Sequence, residues 1–457
     1  MLFNSPVFFI FFFIYFLFHV SLKSQHQLLL IIIGSTIFYT YWYPFYIWVP
    51  FILIFIAFGG GIWINTEEKK RARKYKLIIV LICLVSPLLF YKYANFFYKD
   101  VLGLFFDSKS LLFNYPLPLG ISFITFTMMA YVIDVYWRNF SVVNNFSLFS
   151  SYTLFFPQLI AGPILRPKEL IPQLEKNKTK KSQNKIILGT AIFTIGLLKK
   201  MVIADPLAEI IDPIFNNVDN LNGWSYLLAI YGFSVQIYCD FSGYTDMSIG
   251  SSIILGIKLP ENFRQPYLAV SVRDFWRRWH ITLSNWLRDY IYIPLGGNKK
   301  GFTSQAKNVF ITMFIGGLWH GANWTFIIWG LIHATGIVLS NIIVKLPKWI
   351  AVIITFHFIA FAWIFFRVEN LNTAKLFFIG LLTERYTDGF QFFMQNIYSI
   401  ICIILFFCLH RFDNQKLLKD AVQKYNKLIV WNVIIFIWIL SIVLNSGSSE
   451  KFIYFDF

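Results

Sequence analysis

His320 is the residue whose type and surroundings most clearly indicate chemistry. It lies within a run that is otherwise apolar, in residues 309–318 before it and 324–331 after it. An ionisable side chain in such a run is costly in a bilayer, so its default interpretation is functional. A neutral imidazole can take a proton from a hydroxyl as that hydroxyl attacks an acyl carbonyl. We therefore predict a general base at His320; the alternative is a buried histidine that only hydrogen-bonds inside a helix bundle.

A second histidine, His280, lies in the segment 272–290, which we expect to form one cationic amphipathic helix. On a helical wheel its large apolar side chains fill one arc, and the opposite side carries Arg273, Arg277, Ser284 and Arg288. His280 falls between the two faces, where it would orient an acyl group, polarise its carbonyl or share a proton with His320. The alternative is an interfacial helix whose arginines contact anionic headgroups. Only the fold can bring the two histidines together.

Side chains near the histidines are candidates for substrate binding. The arginines suit the phosphates of a coenzyme or of a carrier's phosphopantetheine, and they equally suit a solvated cytoplasmic face; they are Arg273, Arg277, Arg278 and Arg288. Trp319 and Asn323, on either side of His320, complete the predicted substrate-binding set.

Two carboxylates, Asp240 and Asp246, are predicted to support the site rather than to react. They are six positions apart, so on a helix they would point about 120° apart. This spacing argues against an acid/base pair and favours ion pairing with the arginines. Ser284 and Asp289 are the other predicted supporting residues. No metal site is predicted, because the histidines lack HExxH spacing and the four cysteines include no CxxC pair.

The composition indicates that a membrane surrounds these residues. Of the 457 residues, 57% are hydrophobic and 14% are charged, with a mean hydropathy of +0.60, whereas soluble domains carry about 25% charged residues. We predict an all-α polytopic membrane protein, with about a dozen transmembrane and re-entrant helices around a central funnel or tunnel. The net charge of +17 resides in short clusters between apolar runs. Such clusters are typical of cytoplasmic loops, so nucleic-acid binding is not predicted.

The order of apolar runs and basic clusters predicts the topology. Both termini are expected outside, on the side of the membrane opposite to the basic clusters. The runs 153–164 and 242–259 break strict alternation, so we expect them to be re-entrant, which is allowed where protein or water lines them. One integral-membrane domain, 1–457, is predicted, and its parts are N-terminal spans in 1–137, a catalytic core in 138–345 and C-terminal spans in 346–457.

Three strings around the two histidines resemble the membrane-bound O-acyltransferase (MBOAT) family, and within it the bacterial polysaccharide branch. They are RDFWRRWHITLS at 273–284, WLRDYIYIPLGG at 286–297 and GLWHG at 317–321. The string 240–250, the turn 161–164 and the aromatic tail 452–457 are similar to the same branch. Asp456 is a small departure, since relatives often carry glutamine there.

The resemblance implies helices around a funnel, with His320 as the catalytic histidine at its floor and His280 where many eukaryotic relatives carry asparagine. It implies a cytoplasmic acyl thioester as donor, with acetyl-coenzyme A expected, and no permanently bound cofactor. The acceptor would lie outside, often an extracytoplasmic partner that resembles an acetyltransferase or esterase. That partner would pass the acetyl group to a cell-surface polysaccharide of the alginate or peptidoglycan type.

Two alternatives remain open at the level of the sequence. One is transfer of D-alanine to teichoic acid, which requires a carrier protein. The other is not an enzyme but a transporter or flippase of a lipid-linked or acyl substrate, with the histidines along its path.

Overall fold

A computed structural model of the chain describes residues 1–104, 115–160, 162–176, 182–219, 221–340 and 346–444. Helices, turns and loops make up these residues, and no strand occurs among them. Two compact units are present: Met1–Thr190 with Ser248–Pro260, and Ala191–Met247 with Glu261–Phe457. Ala161 and the tail 452–457, with Asp456, lie outside the described residues, and the three-part division of the chain stays a prediction.

Within the described residues, the first unit is built from nine helices, the beginning of a tenth and residues 248–254, which end a long helix of the second unit. The nine helices and the tenth are α1 (Pro6–Ser21), α2 (Ser24–Thr40), α3 (Trp48–Asn65), α4 (Lys70–Leu88), α5 (Ala94–Phe96), α6 (Ile121–Tyr136), α7 (Phe146–Leu154), α8 (Phe156–Leu159), α9 (Pro167–Lys176) and α10 (Gln183–Leu198).

The second unit contains the end of α10, a π-helical turn at Lys199–Ala204 and the remaining helices, except for residues 248–254 of that long helix. They are α11 (Asp205–Asn216), α12 (Gly223–Ile254), α13 (Val272–Trp276), α14 (Ile281–Leu287), α15 (Gly301–His320), α16 (Trp324–Leu339), α17 (Lys348–Arg367), α18 (Leu371–Thr383), α19 (Gly389–Gln395), α20 (Ile397–Leu409), α21 (Gln415–Lys424) and α22 (Lys427–Val443). Asparagine side chains begin several of these helices by accepting a backbone N–H, at Asn323, Asn370, Asn414 and Asn426.

The predicted all-α membrane fold is confirmed. Four helical stretches in the described residues are long and apolar enough to cross a bilayer: Pro44–Asn65, Lys70–Val101, Gln183–Asn216 and Lys348–Arg367. The pair α19 and α20, bent by 81°, makes a fifth if it counts as one span. Six shorter apolar helices accompany them, among them α1, α6, α16 and α22.

One predicted break in the chain is wrong. The apolar pattern predicts a separate re-entrant element at 242–259, but residues 223–254 form the single 32-residue helix α12. The polar residue Asp240 does not interrupt the helix, because Lys200 binds its carboxylate at 2.6 Å. The run 153–164 is irregular, as its prolines predict: α7 ends at Leu154, and α8 is a single turn.

Lys200 is buried where α10 passes into the π-helical turn. Its ammonium lies 2.7 Å from Asp205 and 2.6 Å from Asp240, and all three side chains are at most 5% exposed. The helices α10 and α12 approach closely here, since a Cβ at Gly196 would collide with the carbonyl of Gly243. The close approach allows a lysine on one helix to reach a carboxylate on the other.

The neighbouring Lys199 ties the same turn to the end of α20. Its ammonium lies 2.8 Å from Asp246 and 2.7 Å from Asp413, and Tyr238 donates its hydroxyl hydrogen to Asp413. Burial alone would raise the pKa of the Asp413 carboxyl, but the charge and hydrogen bonds of Lys199 and the Tyr238 hydroxyl hold that pKa below its ordinary value. The lysine pair therefore holds three segments of this unit together.

Replacing Lys200 by methionine removes the cation that two buried carboxylates bind. Breaking one side of a buried ion pair costs about 3–5 kcal/mol, so Lys200→Met is expected to lower the thermal stability of the detergent-solubilised protein severely. Arg264→Met is the matched control, because it breaks the exposed pair with Glu261, and exposed pairs contribute about 0–1 kcal/mol. Equal unfolding temperatures for the two variants would contradict this interpretation of the lysine.

Candidate active site

The helical hairpin of α15 and α16 positions His320. A Cβ at Gly317 would collide with the carbonyl of Phe326, and a Cβ at Gly330 with that of Met313. The spacing of Gly317 and Gly321 predicts a close helix contact, and the structure confirms it with α16 as the partner. His320 is the last residue of α15. Its imidazole therefore lies at the negative end of a helix dipole, which favours the imidazolium that forms when the ring takes a proton.

Aromatic rings surround the His320 side chain, which is 2% exposed. The ring centroids of Trp319 and Trp329 lie 4.9 Å away, and that of Phe366 lies 5.2 Å away. All three contacts are edge to face. Such packing fixes the imidazole in a dry environment, where electrostatic interactions with a substrate are stronger than in water.

The segment around His280 is not the single amphipathic helix that the apolar pattern predicts. α13 ends at Trp276, α14 begins at Ile281, and His280 stands between them with φ of +41°. The helix is interrupted because the loop segment 262–264 binds the backbone on both sides of His280. The Asn262 carbonyl accepts the N–H of Ile281, and the Arg264 N–H donates to the carbonyl of Arg278. These bonds hold the break open and turn the imidazole inward, fully buried.

Asn262 also fixes the protonation pattern of His280. The Asn262 side-chain oxygen accepts the backbone N–H of Thr282 at 3.2 Å, and this donor identifies the oxygen end of the amide. The same oxygen lies 3.2 Å from Nδ1 of His280. We therefore assign the hydrogen of the neutral ring to Nδ1, which donates it to this oxygen, and the lone pair to Nε2.

Trp319 brings the two histidines into one site. Its ring centroid lies 5.9 Å from that of His280 and 4.9 Å from that of His320. His280 lies outside the membrane-spanning stretches described above, and burial lowers its pKa to about 3, so the ring is neutral at physiological pH. The site thus places two imidazoles on one indole, within a single compact unit.

The four arginines predicted to bind substrate do not lie on one face of a single helix. Arg273, Arg277 and Arg278 belong to α13 and the turn after it, and Arg288 follows α14. Arg278 binds Asp274 at 3.0 Å, and the exposed Arg288 binds the predicted supporting residue Asp289 at 2.6 Å. Their role in binding a substrate stays a prediction.

The ion-pair partners predicted for Asp240 and Asp246 are wrong. Both carboxylates bind lysines of the π-helical turn, Lys200 and Lys199, instead of the arginines. The two lysines are adjacent on one turn, so they can each meet a carboxylate that points in a different direction from α12.

Two other predicted residues have local structural contacts. Asn323 caps α16 through the N–H of Thr325, and its amide donates to the carbonyl of Glu369. Ser284 donates to the carbonyl of Trp279. These bonds stabilise the chain segments that follow the two histidines, and no contact with a substrate follows from them.

Sequence reasoning missed Asn262 and the two lysines for different reasons. Lys199 and Lys200 lie in the apolar run 185–203. Charges at such a position indicate an ion-pair partner or a function, so the sequence alone could have identified these two lysines. Asn262 stands in a loop among unremarkable neighbours. Only the fold shows that its amide oxygen binds His280 and the N–H of Thr282.

Asn262→Asp is expected to raise the pKa of His280, because a carboxylate that accepts the Nδ1 hydrogen favours the imidazolium. A shift of more than about one unit above the wild-type value is expected, and ¹⁵N NMR titration of the labelled ring measures it. Asn323→Asp is the matched control, since that residue contacts a different loop. An unchanged His280 titration in Asn262→Asp would show that the amide does not govern this ring.

Comparisons with known proteins identify the family to which the chain belongs. The family model described as MBOAT, the membrane-bound O-acyltransferase family, matches residues 138–373, which include both histidines. Peptidoglycan O-acetyltransferase of Helicobacter pylori is 38% identical over 84% of this chain and 80% of its own length. The probable alginate O-acetylase AlgI of Pseudomonas aeruginosa is 36% identical over 92% and 84%. Teichoic acid D-alanyltransferase of Bacillus subtilis is 32% identical over 54% and 68%. With more than half of its length matched, the chain belongs to the membrane-bound O-acyltransferase family of enzymes.

Proposed function

We propose that this protein transfers an acetyl group from a cytoplasmic acyl thioester, acetyl-coenzyme A, across the bacterial cytoplasmic membrane for O-acetylation of a cell-surface polysaccharide. The observation that carries the proposal is the meeting of His280 and His320 on Trp319, in a site buried in an apolar protein. Family membership makes the protein an acyltransferase. We therefore prefer the enzyme to the transporter alternative.

His320 is the general base in this proposal. It takes the proton of the acceptor hydroxyl as the oxygen attacks the thioester carbonyl carbon. The C–S bond then breaks, the ester forms, and the departing thiolate takes the proton back from the imidazolium. The position of His320 at the carboxyl end of α15 favours that imidazolium during the step.

The tautomer of His280 determines which hydrogen bonds the ring can make with the substrates. A neutral ring with hydrogen on Nδ1 offers only an acceptor at Nε2, so it is unsuited to polarising a carbonyl. It suits a hydrogen bond from an amide N–H of the pantetheine arm or from the acceptor hydroxyl. The exposed Arg277 and Arg288 would bind the donor's phosphates at the cytoplasmic surface, and Trp319 would contact the acyl group.

The acceptor is proposed on the opposite side of the membrane, together with an extracytoplasmic acetyltransferase-like or esterase-like partner that passes the acetyl group to the glycan. The names of the more similar relatives support an alginate-type or peptidoglycan-type acceptor. Both termini are proposed to be extracytoplasmic, and no cofactor is proposed to remain bound.

Transfer of D-alanine to teichoic acid is the second candidate. The relatives with that name match a shorter part of the chain at lower identity, which favours acetyl transfer. Consumption of free acetyl-coenzyme A by the purified protein with its acceptor supports the first candidate. Dependence on a D-alanyl carrier protein supports the second.

His320→Ala is expected to reduce acetyl transfer by about 10²–10⁴-fold, the usual contribution of a general base. The measurement is the release of acetate from purified surface glycan after mild base, with expression and membrane insertion of the variant checked. His357→Ala is the control, because that histidine bonds to Tyr231 and lies on a different helix, α17. Preserved acetylation in His320→Ala would end the proposal.

A further inference from the structure

A cavity of about 610 Å³ lies in the second unit, apart from the two histidines. Its walls come from α10, α12, α20, α21 and α22, and nearly all of the lining is hydrocarbon. His410 forms part of the wall, and its ring packs 4.9 Å from that of Tyr238, which in turn contacts Trp279 near the active site. The cavity has the size of a ligand-binding pocket.

The mouth of the cavity continues into the apolar outer surface of the helices. Leu405, Leu409 and Phe412, which line the cavity, are each more than half exposed. The adjoining faces of α20 and α22 also expose aliphatic side chains such as Ile404 and Ile439. A surface of this kind meets lipid rather than water, so the cavity opens to the bilayer.

The polar groups at the inner end of the cavity bind one another. Lys199 binds Asp246 and Asp413, and the Gln415 amide donates to Asp246. A ligand in the cavity is therefore offered mainly hydrocarbon contacts. These fit an acyl chain, whereas the amide-rich pantetheine arm of a thioester donor would lose hydrogen bonds there.

The helix α21 forms one side of the mouth and carries the charges that face a headgroup. Its residues Leu417, Leu418 and Ala421 line the cavity, while its lysines are exposed: Lys416, Lys419 and Lys424. The segment 411–427 contains five basic and two acidic residues, and one of those acids, Asp413, binds Lys199. An apolar face with an exposed cationic face is the pattern of a helix that lies at an anionic membrane surface.

We propose that this cavity is a binding site for one anionic phospholipid, with an acyl chain between α10, α20 and α22 and the phosphate at the lysines of α21. The chain fills space whose lining atoms otherwise lack packing partners. The lysines select the lipid by charge. The site is separate from the transfer chemistry and does not depend on it.

Native mass spectrometry of the purified full chain tests the proposal, with phosphatidylglycerol and phosphatidylcholine added in equal amounts to the detergent. Wild type is expected to retain one phosphatidylglycerol. Ala421→Trp, which places an indole where Ala421 lines the cavity, should reduce retention of both lipids at least tenfold. Ala351→Trp, on the half-exposed face of α17, is the matched control and should retain the lipid.

A second pair of variants tests the headgroup contact and does not depend on how Ala421→Trp folds. Lys419→Glu with Lys424→Glu should reduce phosphatidylglycerol retention at least tenfold and leave phosphatidylcholine unchanged, since each lysine near the headgroups contributes to the attraction. Lys348→Glu with Lys375→Glu, two exposed lysines elsewhere in the unit, is the control. Equal retention in wild type and the α21 double variant, equal retention of the two lipids, or displacement of the lipid by acetyl-coenzyme A would each overturn the proposal.

Discussion

The contact of one indole, Trp319, with imidazoles from two distant parts of the chain is the interaction on which the site depends. Each imidazole reaches the indole by its own route. His320 arrives at the end of α15, which glycines hold against α16. His280 lies at the break between the short helices α13 and α14, and Asn262 stabilises this break. Loss of either support would leave the residues present but misplaced, and catalysis is sensitive to such displacement.

The buried ionisable residues are of two kinds, histidines packed among aromatic rings and lysines paired with carboxylates. The histidines are buried among rings, and His280 is neutral there, because a lone charge in such a place is costly. The lysines Lys199 and Lys200 are buried as well, but each lies between two carboxylates. Paired charges of this kind fix the helices around them, whereas a neutral imidazole keeps the capacity to accept a proton during a reaction.

The sequence predicts the helical membrane fold and the close helix contact at Gly317, because apolar runs and small-residue spacing are local patterns. The roles of the two histidines in catalysis stay predictions. The sequence does not predict the break at His280, since the apolar periodicity continues through that position and the bonds that cause the break come from Asn262. The continuity of α12 was missed for a similar reason. The carboxylate of Asp240 looks like an interruption until Lys200, forty residues earlier in the chain, is seen to bind it.

A double-mutant cycle on the rate of acetyl transfer tests the shared site most directly, with His280→Ala, His320→Ala and the double variant. Residues that act together on one reacting group are non-additive in their effects. The account predicts that the double variant loses about as much activity as the more damaged single variant. A double variant whose loss equals the product of the two single losses would show that the histidines act independently, and would contradict the account.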